Sequence, residues 1–273
     1  MKIVVYGLGI IGASICAALK RAGHTVYGKN RSREPLDYAL AHDIIDGVVK
    51  NYAEAEVVFL ALPPHVAMRE LDYGNFPRGC IVADVCGVKS AIEQCVLKKQ
   101  RAYRYVGMHP MAGKETNGIT SSSANLFRGA NLVVTLNRST DRRAVAIVEA
   151  LGRDMGFQRV VECSAAAHDR KIALTSQLAH IVSSAYIRSE ETPSSLGFTG
   201  GSFQDMTRVA HLDEKIWTDL FLLNRDALLC ETDGLIARLK EYRNALVQKD
   251  EDAMRELLRL GKEAYLDFYQ KND

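Results

Sequence analysis

The sequence lacks the features that mark three large classes of protein. It contains no run of roughly 20 apolar residues, the length that a membrane-spanning helix needs. Its six cysteines are scattered and form no Cys-x-x-Cys pair, so no metal site is expected. The net charge of +2 is close to balance and gives no reason to expect nucleic acid or a membrane surface as a partner. An ordinary globular protein remains, and 47% hydrophobic residues suffice for its core.

The N-terminus also lacks the apolar core of a secretory signal peptide, because residues 1–5 run directly into a glycine motif. The cysteines lie singly, and one of them, Cys80, stands inside an apolar run. This pattern is typical of buried, reduced thiols. We therefore expect a cytoplasmic protein.

Short apolar runs alternate with helix-like segments over the first half of the chain. Strands are predicted at residues 2–7, 24–30, 56–62, 80–85, 103–108, 131–136 and 157–163, with a helix at about 141–155. Continuous apolar runs are typical of strands covered on both faces. Alternation of strands and helices indicates parallel βαβ units. The fold class is therefore α/β, with an N-terminal Rossmann-like, doubly wound, mostly parallel sheet.

The pattern changes after Cys163. Ser164 is a plausible N-cap, and a long helix is predicted over 165–188. Further long helices are expected at 213–243 and 251–269, after a loop rich in Thr, Pro, Ser and Gly. We therefore predict a nucleotide-binding domain over residues 1–163 and an all-helical domain over residues 164–273.

A GxGxxG motif joins the first strand to the first helix and consists of Gly7, Leu8, Gly9, Ile10, Ile11 and Gly12. The first glycine permits a tight turn, the second lets a pyrophosphate approach the backbone, and the third permits close helix–strand packing. The helix N-terminus then presents free N–H groups to the phosphates. In this context the motif predicts a dinucleotide cofactor.

The residues after the second strand bear on the choice of cofactor. An acid that would bond a ribose 2′-hydroxyl is missing there, and Asn30, Arg31 and Ser32 stand in its place. A guanidinium and a hydroxyl suit a 2′-phosphate, which favours NADP over NAD. The alternative is a solvated basic loop with relaxed cofactor choice. After the third predicted strand, Leu62 and Pro63 are expected either to line the nicotinamide ribose or to form a simple turn.

Three candidate catalytic residues are His109, His180 and Arg208. His109 follows a strand at its carboxyl end, where ligands bind in open α/β sheets, and imidazole is suited to accept a proton near neutral pH. His180 lies eleven residues after Asp169, on the same face of the predicted long helix. Arg208 offers a planar fork for a carboxylate, or else forms a salt bridge with Asp205 or Asp213. His168 is expected to take a surface or capping role as readily as a functional one.

Together these segments resemble the prephenate/arogenate dehydrogenase family over nearly the whole chain. The resemblance rests on GLGIIG at 7–12, DVCGVK at 84–89, HPMAGKE at 109–115, AAAHDRKIALTSQLAH at 165–180, GGSFQDMTR at 200–208 and IWTDLFLLN at 216–224. It implies oxidative decarboxylation of prephenate to 4-hydroxyphenylpyruvate, or of arogenate to tyrosine, with hydride transfer to NAD(P)⁺ in tyrosine biosynthesis. It also implies a homodimer formed through the helical domain.

The resemblance assigns roles within the site. His109 is expected to contact the substrate's 4-hydroxyl and take its proton, Arg208 to hold a carboxylate, and His180 to shape the pocket. Substrate contacts are expected from Lys114, Glu115, Gly201 and Trp217. The resemblance offers Trp217 as a residue that reaches the site from the partner subunit's helical domain.

Two positions depart from the family pattern. Gly87 stands where a serine usually hydrogen-bonds the catalytic histidine, and Gln177 stands where the family often has histidine. Two other functions therefore stay open. One is a related Rossmann-type oxidoreductase acting on another hydroxy acid or an imine. The other is a cofactor-binding regulatory protein without turnover.

Overall fold

The structure, a computed structural model, describes residues 1–114 and 116–270. In these residues eight strands form one sheet in the order β3-β2-β1-β4-β5-β6-β7-β8. The strands are β1 (Lys2–Tyr6), β2 (Thr25–Lys29), β3 (Gly47–Val48), β4 (Val57–Leu60), β5 (Ile81–Asp84), β6 (Arg104–Pro110), β7 (Asn131–Thr135) and β8 (Arg159–Cys163). All neighbours are parallel except β6 and β7. The predicted mostly parallel sheet is confirmed, and only the two-residue β3 had no counterpart in the prediction.

The sheet is covered on both faces, as its continuous apolar strands require. Alternate residues of β4 belong to two separate core clusters: Val57 and Phe59 to one, Val58 and Leu60 to the other. The strands are flanked by helices α1 (Ile10–Arg21), α2 (Glu34–Ala41), α3 (Pro64–Tyr73), α4 (Ser90–Leu97) and α5 (Arg142–Met155). Because β1, β4, β5 and β6 run parallel to one another, their carboxyl ends lie at the same edge of the sheet.

The helices after the sheet are α6 (Ala165–Ile172), α7 (Ala179–Tyr186), α8 (Gly201–Thr207), α9 (Glu214–Leu223), α10 (Arg225–Gln248) and α11 (Glu251–Gln270). Ser164 caps α6 as predicted, because its hydroxyl accepts a hydrogen bond from the Ala167 N–H at 3.2 Å. Between α6 and α7 the chain continues through a π-helical segment, Ala173–Leu178.

The single helix predicted over 213–243 is wrong at one point. It is broken at Asn224, which separates α9 from α10. The Asn224 amide donates hydrogen bonds to the Asp169 carbonyl at 2.8 Å and to Gln177 Oε1 at 2.7 Å. These tertiary bonds offer a physical reason for the break, and they could not be anticipated from helical periodicity.

Two compact units divide the chain, the first spanning Met1–Arg225 and the second beginning at Asp226. The second unit consists of most of α10 together with α11, where the Tyr242 hydroxyl donates to the Leu257 carbonyl at 3.2 Å. The predicted domain boundary near Cys163 separates the α/β part of the chain from the helices that follow it, and this boundary stays a prediction. Among residues 1–114 and 116–270, none of the helices combines the length and apolar character needed to cross a bilayer.

Candidate active site

The glycine motif forms the turn between β1 and α1, and each of its three glycines has a different structural role. Gly7 has φ +97°, and a Cβ there would lie 2.1 Å from the Ala61 carbonyl oxygen. A Cβ at Gly12 would lie 1.8 Å from the Gly7 carbonyl oxygen, so no side chain fits. Around Gly9 nothing lies within 4 Å of the corresponding position. At Gly7 and Gly12 the chain packs too closely for a side chain, whereas at Gly9 the space is open to a ligand.

The N-terminus of α1 is suited to phosphate groups. Gly9 is its N-cap, no side chain caps the helix, and its first turn contains no acidic residue. The first backbone N–H groups and the positive end of the helix dipole are therefore available to an anion. These residues fit the pyrophosphate of a dinucleotide.

The end of β2 places Asn30 beside the glycine turn. The Leu8 N–H donates to Asn30 Oδ1 at 3.1 Å, and Asn30 Nδ2 donates to the Ser32 carbonyl at 3.1 Å. Lys29 points elsewhere, because its ammonium contacts the Tyr52 hydroxyl at 2.9 Å and Glu70 at 3.1 Å. Arg31 and Ser32 are exposed.

Leu62 and Pro63 lie at the end of β4, next to the same turn. Pro63 is the N-cap of α3, and Leu62 Cδ2 lies 3.1 Å from the position of a Cβ on Gly7. The Leu62 carbonyl accepts a hydrogen bond from the Cys86 thiol at 3.5 Å. Both residues thus border the carboxyl edge of the sheet, at the switch point between β1 and β4 where dinucleotides bind.

An open cavity of about 580 Å³ lies beyond the end of β6. Four of the predicted site residues line it: His109, Lys114, His180 and Trp217. Gly87 and Gln177, the two departures from the family pattern, line it as well.

Two other predicted residues stand apart from the cavity lining. Arg208 is exposed at the end of α8 and does not line the cavity, whereas the nearby Val209 and His211 do. Gly201 is exposed at the start of α8 and does not line it either. Glu115 lies outside the described residues.

His109 belongs to a chain of three side chains. Its Nδ1 lies 2.8 Å from His168 Nε2, and His168 Nδ1 lies 2.7 Å from Asp169 Oδ1. His168 and Asp169 are only 2% and 4% exposed, so the expected surface or capping role of His168 is wrong. The π segment that follows them adds a residue and so rotates the helix by roughly 100° before His180. His168 rather than Asp169 then shares a phase with His180.

Asp169 is fixed by backbone donors from another element. Its Oδ1 accepts from the Lys89 N–H and its Oδ2 from the Ser90 N–H, both at 2.8 Å, at the start of α4. Burial raises the pKa of Asp169, but the hydrogen bonds from His168 and Ser90 outweigh burial and leave it below its usual value. Asp169 is therefore a carboxylate at neutral pH.

A buried ion pair lies beneath His109. Lys89 and Asp84 are both fully buried, and the Lys89 ammonium bonds Asp84 Oδ1. The Tyr105 hydroxyl donates to Asp84 Oδ2 at 2.6 Å, and the Cys86 N–H donates to Oδ1 at 3.0 Å. Burial, with help from His168 and the Lys89 charge, holds the pKa of His109 well below its usual value of 6.5. His109 is consequently neutral and able to accept a proton at neutral pH.

His180 and Trp217 form one wall of the cavity. Their ring centroids lie 3.9 Å apart at an interplanar angle of 31°. The Ser176 carbonyl accepts a hydrogen bond from His180 Nδ1 at 2.8 Å. Trp217 thus lines the cavity of its own chain, and the expected contribution from a partner subunit stays a prediction.

Two family descriptions together cover most of the chain. Residues 15–161 match "Prephenate dehydrogenase, nucleotide-binding domain", and residues 164–260 match "Prephenate dehydrogenase, dimerization domain". The chain belongs to the prephenate dehydrogenase family. It is 31% identical to the cyclohexadienyl dehydrogenase of Zymomonas mobilis, over 97% of this chain and 94% of that protein. It is 28% identical to the prephenate dehydrogenase of Bacillus subtilis, over 96% and 74%.

Solved structures show the same relationship. Prephenate dehydrogenase from A. aeolicus, in complex with hydroxyphenyl propionate and NAD⁺, is 26% identical with a TM-score of 0.84, covering 99% of this chain and 98% of that one. Synechocystis arogenate dehydrogenase is 25% identical with a TM-score of 0.79, covering 99% and 100%. The chain is accordingly a dehydrogenase of the prephenate/arogenate type with a nucleotide-binding domain for a nicotinamide cofactor.

The sequence did not indicate that four residues form one connected polar cluster with His109: Asp84, Lys89, His168 and Asp169. The DVCGVK and HDRK segments were visible as motifs, yet their spacing did not indicate that they meet. A signal was available in the polar residues themselves, because Asp84 ends a fully apolar strand and buried polar groups require partners.

Proposed function

We propose that the protein catalyses the oxidative decarboxylation of prephenate, arogenate or both, with NADP⁺ favoured over NAD⁺ as hydride acceptor. The observation that carries this proposal is His109, a neutral imidazole at the end of β6 with its Nδ1 bound to His168 and its ring lining the cavity. Family membership supplies the reaction type, and this geometry supplies the base.

His109 acts on the 4-hydroxyl of the cyclohexadiene. Its Nε2 accepts the hydroxyl proton while the C4–H bond breaks, and a bound nicotinamide supplies the acceptor for that hydride. The oxidised ring loses its carboxylate as CO₂, the electron pair of the broken C–C bond aromatises the ring, and the proton held on His109 returns to the phenolic oxygen. The product is a phenol, and aromatisation drives the reaction forward.

Substrate carboxylates are assigned to the basic residues around the cavity. The Lys114 ammonium contacts the Ser121 carbonyl at 3.3 Å at the cavity wall, within a segment that also contains His109. Arg208 stays a proposal for carboxylate binding, since Val209 beside it lines the cavity. His180 and Trp217, which stack on each other and line the same cavity, shape the pocket. Gly201 and Glu115 retain the roles that the family resemblance gives them.

The preference for NADP⁺ rests on the residues after β2. Asn30 is neutral and held against the glycine turn, so no carboxylate repels a 2′-phosphate. Arg31 forms no ion pair within the described residues and is exposed beside Ser32. The A. aeolicus relative was solved with NAD⁺, so the preference proposed for this chain is a property of its own loop.

A homodimer through the helical region is part of the proposal. Residues 164–260 match a dimerization domain, and the second unit exposes large apolar side chains on both of its helices, including Leu239, Leu246, Leu258 and Phe268. Exposed apolar patches of this kind mark interaction surfaces. Light scattering at several protein concentrations tests it, and a mass of one chain throughout would contradict it.

The experiment for the activity combines two substrates with two cofactors. Purified protein is mixed with prephenate or arogenate and with NADP⁺ or NAD⁺, while reduced nicotinamide and the phenolic product are measured. Turnover with at least one substrate, faster at low NADP⁺ than at equal NAD⁺, is expected. Tight NADP⁺ binding without turnover of either substrate would instead favour a regulatory protein, and turnover of other hydroxy acids alone would favour a different oxidoreductase.

A further inference from the structure

The proposed reaction needs only His109 as a base, yet two more polar residues are buried behind it. A buried histidine and a buried carboxylate cost free energy unless their hydrogen bonds are satisfied. We propose that His168 and Asp169 are positioning residues that hold His109 with its proton on Nδ1 and a bare Nε2 toward the cavity. This inference rests on the proposed function, because it explains how His109 is kept ready to accept a proton.

Asp169 fixes the direction of the hydrogen bonds. Its carboxylate oxygens accept from the Lys89 and Ser90 N–H groups, and an ionised carboxylate can only accept. These donors stand at the N-terminus of α4, where an anion is stabilised. Asp169 is therefore an acceptor toward His168 as well.

The remaining protons follow from that direction. His168 Nδ1 must donate to Asp169 Oδ1 at 2.7 Å, so in the neutral ring its Nε2 is an acceptor. His109 Nδ1 must then donate to His168 Nε2 at 2.8 Å. A neutral His109 with its proton on Nδ1 has its lone pair on Nε2. The three residues thus select one of the two tautomers of His109.

The glycine at position 87 makes the hydrogen bond between His109 Nδ1 and His168 more important. A Cβ on Gly87 would lie 3.8 Å from both Cε1 and Nε2 of His109, whereas His168 contacts Nδ1. Glycine has no hydroxyl to hold the ring at these atoms. The orientation of His109 therefore depends on its Nδ1 bond, and the imidazolium formed during reaction is stabilised through the same bond by His168 and Asp169.

A purely structural role is the rival explanation, since Asp169 also ties α6 to the start of α4. A structural role predicts lower stability when either residue is replaced, and a kcat that falls only in proportion to the loss of folded protein. The positioning role predicts a loss of rate in fully folded protein, together with a changed tautomer of His109.

The first test compares His168→Gln with His168→Leu. Gln retains an oxygen that can accept from His109 Nδ1, whereas Leu has no acceptor. We expect kcat to fall by about 100-fold for Leu and by less than about tenfold for Gln, with KM and cofactor affinity nearly unchanged in both. Ser183→Ala is the matched control, because Ser183 is a buried residue whose hydroxyl has no hydrogen-bond partner among the described residues. Equal rates for Leu and wild type would overturn the proposal.

The second test reads the tautomers directly. The protein is labelled with ¹⁵N-histidine, and the signals of His109 are those, among seven histidines, that are absent from the spectrum of His109→Asn. At neutral pH these signals should show a protonated Nδ1 and a bare Nε2. In Asp169→Asn the carboxylate that fixes the His168 proton on Nδ1 is lost, so the His109 proton is no longer held on Nδ1. We expect kcat to fall at least about 100-fold in that variant. A wild-type His109 protonated on Nε2 would contradict the inference.

These outcomes separate the inference from the function on which it rests. Wild-type protein that turns over neither substrate refutes the proposed function, while the ¹⁵N spectrum still reports the tautomer. Wild-type protein that turns over, next to an equally fast His168→Leu, refutes the positioning role alone. If the Leu variant does not fold, the Gln variant and the wild-type spectrum decide.

Discussion

The glycine turn at Gly7–Gly12 and the cluster around His109 lie at the same edge of the sheet and are built by opposite means. At the turn, side chains are absent, and the space around Gly9 is open for a ligand. Around His109, side chains from three separate segments are packed together and satisfy one another's hydrogen bonds. A phosphate site needs exposed backbone N–H groups, whereas a base needs partners that fix its proton. The two regions should therefore respond differently to substitution.

The largest expected effect is on stability, at the polar cluster. Lys89→Met leaves the Asp84 carboxylate buried without its cation, which costs about 3–5 kcal/mol in the free energy of unfolding. Urea denaturation measures it. Adding Asp84→Asn to the Met variant removes the unpaired charge and should recover part of the loss. A change below about 1 kcal/mol for Lys89→Met would show that the pair is not an integral part of the cluster.

The glycine turn offers a matched pair of substitutions. In Gly12→Ala the new Cβ meets the Gly7 carbonyl, so the backbone must shift at a cost of about 3 kcal/mol. In Gly9→Ala nothing obstructs the new methyl, and stability should change by less than about 0.5 kcal/mol. Cofactor affinity of the Gly9 variant should nevertheless fall, because the methyl occupies the approach of the phosphates. Denaturation and fluorescence titration with NADP⁺ measure the two quantities, and an unchanged affinity would contradict the assignment of the turn.

A smaller effect is expected at the loop after β2. Arg31→Ala should weaken NADP⁺ about tenfold and leave NAD⁺ nearly unchanged, because only NADP⁺ has a 2′-phosphate. Arg33→Ala is the control, since Arg33 is paired with Asp37 at 2.7 Å. Equal losses for both cofactors in Arg31→Ala would refute the preference for NADP⁺.

The dependence of kcat/KM on pH tests the protonation state of His109 in its polar cluster. Burial, His168 and the Lys89 charge lower the pKa of His109, while Asp169 raises it, and the pKa lies well below 6.5. The base acts unprotonated, so activity is retained as pH falls to 6.5 and is lost only when pH reaches the lowered pKa. A loss centred at 6.5 or above would mean that His109 is more exposed to water than the structure shows.

The glycine turn was readable from the sequence because its information is local. Three glycines at fixed spacing after an apolar strand specify a turn, open space for a ligand and a helix N-terminus, and the structure has all three. Seven of the eight strands were readable for the same reason, since their apolar runs are continuous, whereas the two-residue β3 was not. His109 and Trp217 were located through motif context, and both line the cavity.

The partners of His109 were not readable because they come together only in the folded chain. A surface or capping role was expected for His168 as readily as a functional one, because it lies near the N-terminal end of the predicted helix, and Asp169 was expected to share a face with His180. The π segment shifts the helical phase between these residues and His180, and the break at Asn224 is accompanied by tertiary hydrogen bonds that helical periodicity does not show. Arg208 shows the converse, because its motif predicted a substrate contact while the side chain lies outside the cavity lining.

The most direct test of the account is a single-turnover measurement of hydride transfer in His109→Asn, with the substrate that the wild-type protein uses. If His109 is the base, the rate is lower by about 10²–10⁴-fold, with cofactor affinity and the free energy of unfolding almost unchanged. A rate within about threefold of wild type would show that the substrate hydroxyl loses its proton to another group.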